Sequence, residues 1–215
     1  TRGALAILPF AKTTLLEIVV KQLNKCDNSI KIVITTNDSK VYEYAMTKLD
    51  GENIIIDSRP EELSLLNTKI DDTIKYIVNK YAENLNKFNP DTISVVNYEY
   101  PLRGSGYIDN VANSLFLYNA ISSLSVIKRT GNLFHHNGHT LIESEHNTDL
   151  RLERDEVYEE KGGLHCIKYA DFLETKTLRN NRTTHVLLDQ YSSMKVESDI
   201  DFEVLEHLYS KKNLY

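Results

Sequence analysis

The chain has little of what marks several easily recognised protein classes. It carries only two cysteines, Cys26 and Cys166, in 215 residues, with no CxxC pair and no disulfide-dense spacing. That usage fits reduced thiols in a cytoplasmic protein. Its longest apolar runs, Ala4–Leu8 and Leu15–Val20 (broken by Glu17), fall far short of the ~20 residues a membrane helix needs, so no membrane role is expected. No charged-then-apolar leader opens the chain. Basic charge is in deficit, with a formal net charge of −6. This argues against a general nucleic-acid binder, because neutralising phosphates needs a basic surface. No Walker A loop, G-x-G-x-x-G fingerprint, G-x-S-x-G elbow or H-E-x-x-H pair occurs, and neither cysteine has a local nucleophile signature. Repeats, low-complexity tracts and Pro/Gly/Ser linkers are absent too, so one domain over residues 1–215 is expected.

What remains is enough for an ordinary core, at 41% hydrophobic and 26% charged residues. Ala4–Leu8, ending at Pro9, reads as a buried first strand. Leu15, Leu16, Ile18, Val19 and Leu23 recur at helical spacing, which predicts a helix over Thr14–Asn24 capped by Thr13. Ile30–Thr36 is a β-branched strand. A turn and cap at Asn37-Asp38-Ser39 follow, then a helix over Lys40–Lys48. Ile54–Ile56 and Thr92–Val96 read as strands, with a helix over Thr68–Ala82 between them. Alternating strands and helices from residue 4 to 97 predict a mostly parallel α/β sheet with right-handed crossovers. After Arg103 the pattern changes. A helix over Val111–Tyr118 and a strand over Ser122–Lys128 precede a hairpin, Asn132–His136 and His139–Glu143, around a type I′ signal at Asn137-Gly138. Strands at Leu164–Lys168 and His185–Leu188 and a helix over Phe202–Tyr209 close the chain. A β-rich insertion is expected at about residues 104–165.

Three segments at expected strand ends carry candidate chemistry, since ligands of open α/β sheets bind there. Glu197, Asp199 and Asp201 alternate, so an extended backbone would put them on one face. They suit Mg²⁺, which bridges carboxylates to substrate phosphates, or simply cap the following helix. Lys195 beside them either binds phosphate or neutralises the cluster. In the Tyr100-Pro101-Leu102-Arg103 turn, Pro101 fixes the exit from the strand. Asn97 there offers an amide to a sugar or carboxylate, and Arg103 pairs with an anion or with a neighbouring acid. Arg59-Pro60-Glu61-Glu62-Leu63 combines helix-start chemistry with a guanidinium able to read a base or clamp a phosphate. Further on, Arg151, Tyr158 and Lys161 precede Gly162-Gly163, which permit close backbone approach to a ligand or another subunit. His135, His136 and His139 straddle the hairpin turn, with no cysteine or carboxylate at zinc-finger spacing.

The order of these segments resembles the acylneuraminate cytidylyltransferases, the CMP-sialic acid synthetases and their relatives. Thr36-Asn37-Asp38 is similar to the family's turn after the second strand, and Arg59-Pro60-Glu61-Glu62-Leu63 to its Arg-Pro-x-x-Leu segment. Asn97 through Arg103 resembles Gln-Pro-Thr-Ser-Pro-Leu-Arg, continued by Tyr107-Ile108-Asp109. Tyr158-Glu159-Glu160-Lys161-Gly162 resembles Tyr-Arg-Glu-Asn-Gly, and Glu197 through Phe202 resembles Asp-Thr-Glu-Leu-Asp-Phe. The resemblance implies a Rossmann-like nucleotidyltransferase fold and transfer of CMP from CTP to the anomeric hydroxyl of an acidic nine-carbon sugar, with Mg²⁺ and release of pyrophosphate. It also implies a homodimer in which the insertion reaches the partner's site. By analogy Arg59 contacts cytosine, and Asn97, Arg103 and Tyr158 contact the sugar substrate. Lys12, Arg151 and Lys195 would serve catalysis, and Glu197 and Asp199 would bind the metal. The chain departs from the family pattern at Asn97, where the family has Gln, at Lys69-Ile70, where it has a Ser-Ser helix start, and in two further places. Ile7-Leu8-Pro9 runs almost directly into Phe10-Ala11-Lys12-Thr13-Thr14 where the family has a glycine-rich basic loop, and Lys195 aligns with a metal-binding Asp. A catalytically degenerate sugar-binding or dimerisation module is therefore the alternative reading.

Overall fold

A computed structural model of the chain describes residues 2–28, 30–49, 51–65, 67–129, 133–143 and 156–212. It opens with a helix, α1 (Arg2–Ile7), where a strand was expected at Ala4–Leu8. Alanine and leucine dominate this run and favour helix. Ala6 is buried in a cluster with Leu16, Val19, Val41 and Ala45, and among the described residues no strand pairs with it. A small hairpin follows, β1 (Pro9–Phe10) and β2 (Thr13–Thr14). Its turn residues Ala11 and Lys12 both have positive φ, 48° and 66°, as type I′ turns require. In α2 (Leu15–Leu23) the cap is Thr14 rather than Thr13. Thr14 Oγ1 accepts from Glu17 N at 3.2 Å while the Glu17 carboxylate accepts from Thr14 N at 3.2 Å, a capping box.

Next come β3 (Ile32–Thr36) and α3 (Ser39–Lys48), whose cap Asp38 accepts from Lys40 N and Val41 N at 2.9 and 3.2 Å. β4 (Ile54–Ser58) leads to Pro60, which starts a 3₁₀ turn over Glu61–Ser64 instead of an α-helix. Then follow α4 (Ile70–Lys80), α5 (Ala82–Phe88), β5 (Thr92–Val96), α6 (Ser105–Leu117) and β6 (Ser122–Arg129). The hairpin strands are β7 (Phe134–His136) and β8 (Leu141–Glu143); residue 132, where it was expected to begin, lies outside the described residues. Its connection is the longer Asn137–Thr140 loop. The Asn137 side chain accepts from His139 N and Thr140 N at 3.0 and 2.8 Å, and Gly138 has φ 101°, so the two-residue turn is not formed. β9 (Val157–Lys168), α7 (Tyr169–Thr175), β10 (Thr183–Leu187) and α8 (Asp199–Lys212) complete the order.

The sheet is mixed rather than mostly parallel. One sheet has the order β10-β6-β9-β5, in which β10 and β6 are parallel and β9 runs antiparallel to both neighbours; β3 and β4 form a separate parallel pair. An antiparallel return needs no crossover helix, which is why β9 inserts directly between β5 and β6. The expected β-rich insertion resolves differently too. Residues 105–117 are helical, and β6 and β9 are interior strands of the main sheet, so among the described residues only the β7–β8 hairpin stands apart. No described helix is long and apolar enough to cross a membrane.

Candidate active site

The strand end after β5 is shaped by a bulge in β9. Leu124 faces His165 while Val126 faces Glu160, so Ser125 alone opposes Lys161, Gly162, Gly163 and Leu164. The Ser125 hydroxyl donates to Lys161 O and accepts from Leu164 N at 3.3 Å, satisfying groups the ladder leaves unpaired. Gly163 has φ 59°, and a Cβ there would lie 2.6 Å from Asn97 Cβ and 2.8 Å from Tyr100 Cε2. Only a bare backbone admits that approach. Gly163 thus receives the protein's own Asn97–Tyr100 turn, while Gly162 lies against Leu188 and Ser125, and Asn97 N donates to Gly163 O at 2.9 Å.

Arg103 locks the same turn from below. It is 2% exposed, with Nη1 donating to Gly162 O at 2.5 Å and Nη2 to Gln22 Oε1 at 3.1 Å. Burial lowers its pKa to about 10, and its hydrogen-bond partners are neutral. Its guanidinium therefore ties turn, helix and strand together and does not face the cleft, contrary to the expected substrate contact.

One core cluster explains how two sequence-distant segments meet. Leu102 of the turn and Val196 near the C-terminus are both buried against Phe10, Leu15, Ile18 and Leu205. Phe10 stacks edge-on with Phe202 at 5.1 Å. With Val196 seated, its N–H donates to Glu99 O at 3.0 Å. Lys195 then reaches Glu99 Oε2 at 3.4 Å and Glu197 Oε1 at 3.2 Å. Burial pulls the Lys195 pKa down, and the two carboxylates more than reverse this, so the ammonium is held charged.

Two cavities flank that ion cluster. The first, about 1570 Å³, is lined at the strand ends by Thr36, Asp38, Arg59, Asn97 and Glu99. Arg59 donates from Nε to Ser64 Oγ at 3.1 Å. Desolvation lowers its pKa, and Asp57 opposes the shift. The second cavity, about 260 Å³, is lined by Lys161, Lys195, Glu197 and Asp201 among others. Glu99 lines the first cavity and grips Lys195 of the second, so the pair stands between the two.

The remaining expected residues fall elsewhere. Lys12 sits exposed at the β1–β2 turn, beside Ala11, whose N–H donates to Glu206 Oε1 at 2.7 Å. Tyr158 pairs with Lys128 across β6, donates its hydroxyl to Glu156 and stacks on His185 at 4.7 Å; it lines neither cavity. Arg151 lies outside the described residues. The Glu197–Asp199 metal pair is not formed. Asp199 is the exposed first residue of α8, and Glu197 is engaged by Lys195. Asp201 caps its own helix start, accepting from Ser198 N at 2.9 Å. Among the described residues no three His, Cys, Asp or Glu side chains gather as a metal site. These residues do not fit a protein-built Mg²⁺ site, because the Lys195 ammonium already sits between the two carboxylates at the cleft and engages both. Nor is either thiol poised to react: burial, then Asp109, pushes Cys26 up to about 11, and Cys166 is fully buried.

Glu99 is the functional candidate that sequence reasoning passed over. It lay inside the Asn97–Arg103 segment, but its pairing with Lys195 is tertiary, and no local pattern announced it.

This arrangement of strands and helices is that of the nucleotidyltransferase-like α/β folds. Solved structures that share it include three cases. One is a 4-diphosphocytidyl-2C-methyl-D-erythritol synthase, with TM-score 0.69 and 10% identity, covering 95% of this chain and 94% of that one. A synthase of the same name from Anaerococcus prevotii gives TM-score 0.57 and 15% identity over 96% and 88% of the two chains. The third is a CMP:2-keto-3-deoxy-manno-octonic acid synthetase complexed with CTP, at TM-score 0.64 and 11% identity over 97% and 92%. No protein-family model matches the chain, and no curated protein matches it by sequence.

Proposed function

We propose that the protein is a cytidylyltransferase that transfers CMP from CTP to the anomeric hydroxyl of an acidic nine-carbon sugar. The attacking oxygen would form a bond to the α-phosphorus as the bond to the β-phosphate oxygen breaks, releasing pyrophosphate. One observation carries the reading. The ends of β3, β4 and β5 present Thr36, Asp38, Arg59, Asn97 and Glu99 to one cavity, with Lys195 anchored at its rim. Strand ends of open α/β sheets are where such ligands bind, and likeness to a fold solved with CTP supports the choice of nucleotide.

The residues divide the work by their chemistry. Arg59 has terminal N–H groups to spare for the carbonyl oxygen and ring nitrogen of cytosine, a planar match lysine could not make. Asn97, exposed beyond β5, both donates and accepts, which suits sugar hydroxyls. Lys195 places a fixed positive charge where phosphate charge builds during transfer, with no rearrangement needed at that moment. Lys161 supplies a second ammonium in the adjoining cavity. Arg151 remains the candidate partner of the sugar carboxylate.

One observation favours the second reading, a sugar-binding or dimerisation module without turnover: Lys195 is saturated by Glu99 and Glu197. Pyrophosphate release from each of the four nucleoside triphosphates, with acidic and neutral sugars as acceptors, decides between them. The expected result is turnover with CTP at least ~10-fold above the other triphosphates, equivalent to about 1.4 kcal/mol of discrimination, and dependent on an acidic acceptor. Binding of the sugar without any turnover would establish the module instead.

A further inference from the structure

The larger cavity does not end at the cleft but continues between two strands. All five residues of β3 and all five of β5 line it, yet β3 pairs only with β4 and β5 only with β9. The direction of each backbone group follows from the bonds already made. Ile32 N donates to Asn53 O at 2.8 Å and Thr36 O accepts from Arg59 N at 2.8 Å, so residues 32, 34 and 36 face β4. Backbone groups alternate along a strand, which turns those of Val33 and Thr35 toward the cavity. On the other side, Asn97 N donates to Gly163 O at 2.9 Å and Tyr169 N to Asp91 O at 2.8 Å. Residues 91, 93, 95 and 97 thus face β9, and Thr92, Ser94 and Val96 face the cavity. Among the described residues, the N–H and C=O groups of these five positions meet no partner.

The walls above and below are apolar. Leu16, Val19 and Val20 of α2 close one side of the cavity, and Ile74, Ile77 and Val78 of α4 the other. An apolar slot edged by two rows of unpaired peptide groups has one good occupant. Only another extended backbone satisfies both edges at once, and only side chains apolar on both faces suit walls made by helices on both sides. We propose that this gap seats one further β-strand of about five apolar residues, supplied in cis by polypeptide joined ahead of α1. Ala6 and Ile7 at the end of α1, with Leu8 after it, line the cavity, and α1 is only six residues long, so chain joined ahead of it begins within about 10 Å of that wall, where tethering makes insertion intramolecular. The inserted strand joins β4-β3 to β5-β9-β6-β10 as one sheet. It also sets the spacing between the two halves of the cleft, Thr36, Asp38 and Arg59 on one side and Asn97 and Glu99 on the other.

Hydrogen exchange tests this without reference to CTP. It is measured on the intact protein purified from its own cells and, in parallel, on residues 1–215 alone. The expected result is that the amides of Val33, Thr35, Thr92, Ser94 and Val96 exchange at least ~100-fold more slowly in the intact protein, independently of protein concentration. Equal exchange in the two samples overturns the proposal. Protection that rises with protein concentration also overturns it, by assigning the strand to a second copy. A proline at position 94 provides a second measurement, because proline is tolerated where a strand edge is free and not where its N–H is paired. In the intact protein Ser94→Pro is expected to lower Tm by at least ~5 °C; a Tm unchanged within ~1 °C contradicts the inserted strand.

Discussion

The two sides of the cleft are built by opposite means. On the β5 side a four-stranded sheet, a glycine bulge and a buried arginine fix the Asn97–Arg103 turn from several directions. On the β3–β4 side two strands carry Asp38 and Arg59, and their anchorage is a polar knot. The Asp57 carboxylate, fully buried, accepts from Lys80 Nζ at 2.7 Å, Tyr81 Oη at 2.8 Å and Thr35 Oγ1 at 2.8 Å. Burial alone would raise the Asp57 pKa, but those three donors lower it. The contrast shows that a buried charge serves position in two ways. Asp57 is met by an opposite charge, whereas Arg103 donates from Nη1 and Nη2 to neutral oxygens, its buried Nε meets no partner among the described residues, and desolvation holds it at about 10.

Breaking the rigid side should cost most. Gly163→Ala places a methyl against Asn97 Cβ and Tyr100 and is expected to destabilise by about 3 kcal/mol in urea unfolding, with loss of CTP binding as the turn shifts. A cost below about 0.5 kcal/mol would mean the turn is not seated on the bulge. Asp57→Asn tests the other side, with an expected loss of about 2 kcal/mol as the Lys80 ammonium loses its counter-charge. The sign of its pH dependence follows from the lowered folded pKa. Its stabilisation is complete above the ordinary carboxylate value of 3.8 and is lost as pH falls through the lowered one. The substituted protein should therefore show a shallower acid loss than wild type, and parallel curves would show that Asp57 is not the titrating group.

Arg59→Ala separates binding from stability. It should weaken CTP binding by about 10-fold or more in calorimetry while changing stability by no more than about 0.5 kcal/mol. Equal CTP affinity would remove Arg59 from the site. The smallest effect is expected from Glu17→Gln, which weakens the α2 capping box but changes no side chain that lines the cavity, at about 0.5 kcal/mol. A larger loss accompanied by weaker CTP binding would tie α2 to the site after all.

Much of the fold was legible where local chemistry decides. β3 emerged from a β-branched run, β5 has the bounds expected for it, β10 was expected in part at His185–Leu188, and Asp38 declared the start of α3. The first run, Ala4–Leu8, misled because five apolar residues suit a buried strand or a helix equally, and packing against α2 and α3 chose the helix. α5 and α7 were missed because each is seven residues long and lacks a clear apolar face. β9 was expected only from Leu164 because Lys161-Gly162-Gly163 reads as a loop, whereas it is a bulge inside one long strand. At the cleft, Arg59, Asn97 and Lys195 were singled out from strand-end position and charge, and they line its two cavities. The burial of Arg103 and the Glu99–Lys195 pair depend on contacts between distant segments, which no window of sequence contains.

A crystal structure of the intact protein with a non-hydrolysable CTP analogue tests the central claim most directly. The account predicts the cytosine within hydrogen-bond reach of Arg59 and the triphosphate running past Asn97 toward Lys195. An analogue bound away from the ends of β3, β4 and β5, with Arg59 and Lys195 untouched, would contradict it.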